Sequence, residues 1–426
     1  MKLLRDTITR NRQGDTVALA SVCSAHPMVL GAALRLAEEL DQPLLIEATS
    51  NQVNQFGGYT GMRPADFVTW VYELADHHGT ARERLHFGGD HLGPQVWRSL
   101  PAEEAMAKAG DLMREFVAAG FTKIHLDCSE GCKGEPAQVG DEISASRAAD
   151  LAAICEATAT DPEALSYCFG TEVPPPGGAR ADENHDIVPP TRPEAAAATI
   201  AAHQAAFAER GLDGAWPRMV ALVVQPGLEF TPDHVIRFDM AQPDLLSPVL
   251  DNHEGMSFEA HSTDYQADAV YGDLARRHFA VLKVGPALTF ALRRAFYALD
   301  ALAQWQEKDT PSLPAVMEQL MRNDPKPWAN HYQAEGEALR DLLHFGYADR
   351  IRYYWPADQA VHATEALLAA FEDTPAPPVP VLGQFFGAAT IERAAGLTGL
   401  PWAEALILAE IQQVLLPYMA CQEGLA

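Results

Sequence analysis

This sequence predicts an α/β fold: eight parallel strands closed into a (β/α)8 TIM barrel, with a helical C-terminal extension. Three observations carry the prediction. Eight short β-rich apolar runs alternate with Ala/Leu-rich helical patterns. Such alternation makes a parallel sheet, and eight units favour closure over an open sheet. No G-x-G-x-x-G follows the first run, which disfavours a doubly wound dinucleotide-binding arrangement.

The runs are Val17 to Val22, Pro43 to Thr49, Arg84 to His91, Phe121 to Cys128, Leu165 to Val173, Arg218 to Gln225, Met256 to His261 and Phe279 to Val284. Apolar residues recur at helical spacing over Met28 to Leu40, Pro64 to His77, Ala102 to Ala119 and Ser144 to Ala159. Pro174 to Pro193, rich in Pro, Gly and charge, reads as a long loop or lid between the fifth strand and its helix. The barrel is expected over residues 1–290. A helical extension over 291–426 is expected to pack against it, broken at Lys308 to Pro314, Asn323 to Pro327 and Asp373 to Pro380.

Composition narrows the functions. Lys and Arg total 31 against 58 Asp and Glu, a net charge of −27, which argues against nucleic acid and anionic membranes as partners. In so acidic a chain any basic cluster needs a reason. The six cysteines form no disulfide or zinc framework and read as buried thiols. The N-terminal residues lack the apolar run of a signal peptide, and no apolar run is long enough to span a bilayer, so a cytoplasmic protein is expected. A Gly-rich phosphate loop of the kinase type is absent from the sequence.

Catalytic groups of such barrels collect where strands end, at the C-terminal face. The polar residues ending the expected strands are Glu47, Asp90 with His91, Asp127, Glu172, Gln225, then Glu259 and His261 followed by Ser262, Thr263 and Asp264. The eighth strand carries Lys283 and turns through Gly285. Carboxylates and imidazoles at most strand ends can converge on a divalent cation. Simpler roles stand beside this one. Glu47 can cap a layer of the barrel or pair with Lys283. Gln225-Pro226-Gly227 can be only a turn, and Asp127 a turn former. Phosphate is met in many barrels by the loops after strands seven and eight, here Ser262-Thr263 and Gly285-Pro286-Ala287. Arg350 and Arg352, in a run with Tyr353, Tyr354 and Trp355, form either a phosphate clamp or a tail segment paired with the acidic barrel.

Several long strings carry a resemblance. They are Leu85 to Pro94 (LHFGGDHLGP), Ile46 to Gln55 with Gly57 to Met62, His125 to Ser129 (HLDCS), Gly170 to Pro174 (GTEVP), Phe258 to Gln266 (FEAHSTDYQ) and Asp349 to Trp355 (DRIRYYW). In this order they are similar to the Z-type subunits of D-tagatose-1,6-bisphosphate aldolase, over almost the whole chain. The Asp-His string also resembles the class II fructose- and tagatose-bisphosphate aldolases. The resemblance implies that Asp90 transfers protons and that His91 and His261 bind a metal. The third metal histidine, on strand six, is replaced here by Gln225, a weaker neutral ligand. Glu172 or a water would complete the shell. Glu172 is also the alternative to Asp90 as the carboxylate that removes the C4 hydroxyl proton, and Asp127 would lie near the substrate as a further catalytic residue.

The resemblance implies carbohydrate catabolism on a tagatose, galactitol or amino-galactose route, with a phosphorylated ketohexose as substrate. The expected cofactor is a divalent metal, Zn²⁺ first, with Mn²⁺ or Co²⁺ as alternatives. The expected chemistry is a retro-aldol step leading to 4-epimerisation of D-tagatose 6-phosphate to D-fructose 6-phosphate. The other expectation is a non-catalytic subunit that stabilises the Y-type aldolase subunit. Asp90, His91, Glu172 and His261 together favour a working site. A homo-oligomer is compatible with the sequence.

Overall fold

The computed structural model describes residues 2–171 and 188–425. Glu172 and most of the Pro174 to Pro193 loop therefore lie outside the described residues.

Eight strands form one closed parallel barrel in sequential order. They are β1 (Leu19–Val22), β2 (Leu44–Thr49), β3 (Leu85–Leu92), β4 (Lys123–Leu126), β5 (Ser166–Phe169), β6 (Met219–Val223), β7 (Ser257–Ala260) and β8 (Phe279–Val284). Each expected run contains or overlaps its strand. The closing pair matches Leu19 with Val281 and Val22 with Val284.

Helix α1 (Lys2–Arg12) precedes the barrel, and the ring of helices comprises α2 (Pro27–Glu39), α3 (Pro64–His78), α4 (Ala102–Ala118), α5 (Asp141–Thr158), α6 (Pro193–Glu209), α7 (Asp268–Arg276) and α8 (Pro286–Trp305). Proline opens α2, α3, α6 and α8, where its missing N–H costs nothing. Helix α3 stops at Gly79, whose φ of 72° suits a residue without Cβ. The alternation fails once. Between β6 and β7 the chain makes a two-stranded hairpin, Glu229–Phe230 with Val235–Ile236, and a 3-10 turn, Ser247–Asn252. Pro226, Pro232, Pro243 and Pro248 interrupt any helix there.

Helix α8 runs through residue 290, where the extension was expected to begin, and joins it to the barrel. The extension adds α9 (Leu313–Asn323), α10 (Gly336–Phe345), α11 (Asp358–Glu372), α12 (Val379–Leu382), α13 (Ala388–Gly396) and α14 (Trp402–Ala420). Helix α14 packs on α8 and α2.

The two termini close the bottom of the barrel. Leu4 and Ile8 of α1 plug it against Leu19, Leu45, Val220, Ala280 and Val281. Gln422 accepts from Ala20 N at 2.7 Å and donates to Pro43 O at 3.0 Å, supplying backbone partners at the first two strands. The lower end is sealed, and a cavity opens at the end where the polar strand termini gather. No helix among the described residues is long and apolar enough to cross a membrane.

Candidate active site

In a regular strand Asp90 and His91 would point to opposite faces. The structure brings both into one cavity by bending the end of β3. His91 adopts φ 47°, a left-handed conformation that is costly for a residue with a Cβ. The β3–β4 register shifts between Gly89 and Leu92. Ser50 Oγ pins the bend by donating to His91 O at 2.8 Å. Backbone strain of this kind persists only where surroundings enforce it.

Three imidazoles then face one another. The ring centroids of His91, His125 and His261 are 5.1, 5.0 and 5.2 Å apart, and all three side chains are buried. Two are oriented by carboxylates. Asp127 lies 2.7 Å from His91 Nδ1, and Glu259 3.0 Å from His261 Nε2. Asp127 is itself held by Ser129 Oγ at 2.7 Å. His125 Nδ1 lies 3.2 Å from an Asp90 oxygen. His125 Nε2 and His261 Nδ1 are buried with no hydrogen-bond partner among the described residues. Buried ring nitrogens normally find one. Asp90, His125 and His261 offer ligand atoms within 4.8 Å of one another.

Charge favours the same use at two of the three rings; at His91 burial would lower the imidazole, but Asp90 and Asp127 outweigh it and raise it. Burial, with Lys283 nearby, pushes His261 down to about 3, and burial lowers His125 as well, so both stay neutral as a metal ligand must. Burial alone would raise the Asp90 carboxyl, but His91 and Lys283 outweigh it and hold it well below the usual range. Rings held by carboxylates at His91 and His261, with unpartnered nitrogens at His125 and His261 among the described residues, make a donor set that suits a borderline cation such as Zn²⁺.

Beneath this cluster the barrel interior carries charge where branched aliphatic side chains are usual. Lys123 Nζ lies 2.6 Å from Glu47 and 2.9 Å from Glu259, all with no side-chain exposure. Lys283 Nζ contacts Asp90, lies 3.0 Å from Glu47 and 3.3 Å from Glu259. Two ammonium groups thus meet three carboxylates. Gly88 makes the room, since a Cβ there would come within 2.8 Å of Glu47 Cγ. Cys23 also approaches Glu47 and Asp90, but Lys283 already serves those carboxylates as their cation.

The remaining expected residues divide. Ser262, Lys283, Gly285 and Arg352 line the cavity with Asp90, His91 and His261. Glu47 pairs with both lysines, the simpler of its two readings. Gln225 does not join the cluster. Its Oε1 accepts from Gly227 N and Leu228 N at 2.9 and 3.0 Å, as a turn former does, and Gln225 is not among the residues lining the cavity. Thr263 Oγ1 is committed to Lys283 O and to Tyr418 OH of α14. The N–H groups of Gly285 and Ala287, expected to meet phosphate, donate to Asp264 at 3.1 and 2.8 Å. The chain thus supplies its own anion at the start of α8. Arg350 is turned away from the cavity, with its Nε donating to Pro327 O at 2.6 Å.

His125 is the residue that sequence reasoning passed over. A signal existed: Lys123, His125 and Asp127 alternate along one strand, so all three face inward once either neighbour does.

A family model described as D-tagatose-1,6-bisphosphate aldolase subunit GatZ/KbaZ-like matches residues 4–423. Among solved structures, a probable tagatose 6 phosphate kinase from Sinorhizobium meliloti 1021 is 44% identical. It covers 95% of this chain and 100% of its own, with a TM-score of 0.86. A putative fructose-1,6-biphosphate aldolase from Coccidioides immitis is distant, at 14% identity, 85% and 96% coverage and a TM-score of 0.42.

Proposed function

The chain belongs to the D-tagatose-1,6-bisphosphate aldolase subunit GatZ/KbaZ-like family, and from that premise we propose that it catalyses a divalent-metal-dependent retro-aldol reaction on a ketohexose phosphate. The specific reading is 4-epimerisation of D-tagatose 6-phosphate to D-fructose 6-phosphate. The observation that carries it is the set of three buried imidazoles beside Asp90, two of them with ring nitrogens unpartnered among the described residues.

His91, His125 and His261 would hold the metal, His125 taking the place that Gln225 leaves vacant. When bound, a divalent cation supplies Lewis-acid polarisation of the ketose carbonyl. The other steps belong to the chain. Asp90, ionised beside Lys283, takes the proton of the C4 hydroxyl. The C4–O bond becomes a carbonyl as the C3–C4 pair moves onto C3 and C2. The cavity walls keep both fragments, the aldehyde turns, and C3 adds to its other face. Arg352 and Ser262 offer donors for the phosphate from the same cavity. Asp127 and Glu259 hold the histidine rings in place.

Metal analysis of the purified chain, joined to an assay of tagatose 6-phosphate turnover with Zn²⁺, Mn²⁺ or Co²⁺, tests this. His125→Ala and His261→Ala should each lower bound metal at least several-fold, and unchanged stoichiometry in both refutes the site. The family description as a subunit favours a second reading, in which the chain stabilises a Y-type aldolase partner. That reading takes over if the chain alone is inert with every metal.

A further inference from the structure

The Asp349 to Trp355 string sits at the cavity with an unusual arrangement of charge. Asp349 is buried at φ 44° and opens a 3-10 turn, Arg350–Tyr354. Its carboxylate accepts from Thr289 Oγ1 in the first turn of α8 and lies 3.7 Å from Arg293 Nε, which fixes the turn over the barrel. Within it two guanidiniums flank one phenol. Arg350 Cζ lies 4.4 Å and Arg352 Cζ 4.7 Å from the centroid of the Tyr353 ring. Arg352 Nη2 donates to the Tyr353 hydroxyl oxygen at 3.2 Å. The other bonds of the pair run to carbonyls, from Arg350 to Pro327 and from Arg352 to Ala348 and Asp349.

Buried charge requires a partner. Among the described residues no carboxylate lies within ion-pair distance of either guanidinium. The ionisable group that both touch is the Tyr353 phenol, which is also turned to the cavity that holds Asp90 and His91. In a chain of net charge −27, two arginines placed around one phenol stabilise its anion. Burial alone would raise the Tyr353 phenol, but Arg350 and Arg352 outweigh it and bring it below the usual phenol range. The other titratable groups at this cluster are Asp349, Asp264, Tyr332, Tyr265 and Tyr59. Burial pushes Tyr59 up to about 12, so it stays neutral.

Epimerisation at C4 poses a requirement that one carboxylate does not meet. The hydroxyl proton leaves on one side of the carbon, and the new alkoxide forms on the other. We propose, resting on the function assigned above, that Tyr353 is the second proton carrier of this site. Asp90 takes the C4 hydroxyl proton of one epimer, the C3–C4 bond breaks and re-forms on the opposite aldehyde face, and the Tyr353 phenol protonates the new C4 alkoxide. Each turnover moves one proton from Tyr353 to Asp90, and solvent returns it. In the reverse direction Tyr353 is the base and Asp90 the acid. Arg350 is a positioning residue that keeps the phenol ready to ionise, a task it shares with Arg352, which also faces the phosphate from the cavity wall.

The test uses the full-length chain with two readouts. In ultraviolet difference titration, wild type minus Tyr353→Phe should show one tyrosine ionising below the ordinary value of ~10. In assay, Tyr353→Phe should keep metal content and melting temperature while losing ~10²-fold or more in kcat for epimerisation in both directions. In the direction where Asp90 is the base, Arg350→Met should move the falling limb of the pH–rate profile upward at unchanged metal content, and in the reverse direction the rising limb, whereas a merely structural role lowers rate equally at all pH. A wild-type chain inert toward both ketose phosphates overturns the function and this assignment with it. An active wild type whose Tyr353→Phe variant keeps its turnover, or whose Tyr353 ionises in the ordinary range, overturns this assignment alone.

Discussion

Lys123→Met probes the charged floor of the site most directly. The ammonium it removes has no solvent exposure and stands between Glu47 and Glu259 at 2.6 and 2.9 Å. Methionine fills nearly the same space, so cavity cost is small. What remains is two buried carboxylates sharing Lys283, which already serves Asp90. Breaking a buried pair from one side costs ~3–5 kcal/mol, since the remaining charge loses its partner. With 426 residues at ~2.1 cal/mol/K each, the unfolding entropy is ~0.9 kcal/mol/K, so the melting temperature should fall by ~3–6 °C. Calorimetry at neutral pH measures this. Adding Glu259→Gln removes one of the stranded charges and should recover at least half of the loss. A single variant melting within ~1 °C of wild type, against the cost expected for a buried pair, refutes the reasoning, as does a double variant weaker than the single.

Asp90→Asn keeps the shape of the proton carrier without its basicity. It should retain metal and fold while losing at least ~10²-fold in kcat, and near-normal turnover would move the role elsewhere. Gly93→Ala places a Cβ onto the carbonyl oxygen of Asp127, so both backbones must shift. Because Asp127 orients His91, metal content should drop several-fold, and an unchanged metal titration would contradict that coupling. Glu318 is held down to about 2 by Arg340 first and Arg322 next, against an ordinary 4.5, so its stabilisation is present above 4.5 and fades as pH falls toward 2. Glu318→Gln should therefore cost ~0.5–1 kcal/mol at pH 7, screened by solvent, and the gap to wild type in urea titrations should close on acidification.

The fold was largely legible because strand periodicity, helix-opening prolines and the glycine that ends α3 are local signals. The segment after β6 was misread as part of a regular alternation, although its four prolines argued against a helix. The site was legible at Asp90, His91 and His261, where strand ends put polar residues together. It was not legible at Gln225, because a side-chain amide that closes its own turn has the same sequence as one that binds a ligand. Nor were the backbone donors at Gly285 and Ala287 readable, since Asp264 claims them from the preceding loop. His125 lay in plain alternation with Asp127. Its importance comes from rings on β3 and β7 that only the closed barrel brings within 5.2 Å. The Arg–Tyr–Arg arrangement was visible as a basic and aromatic string, but not which partner the arginines face.

The seal at the barrel's lower end bears on how the molecule is made. Ala20 in the first strand waits for Gln422, 402 residues later, and the neighbouring N–H of Ala18 for the carbonyl of Cys421. A ribosome delivers those partners 402 residues after the strand that needs them. Early strands therefore leave the tunnel with open edges and cannot settle into their final hydrogen bonding during translation. Contacts of such long range slow folding and expose unpaired strands in the interval. Expression of this chain should depend on holding chaperones during synthesis, and trimming a few residues after α14 should harm yield far more than their small size suggests.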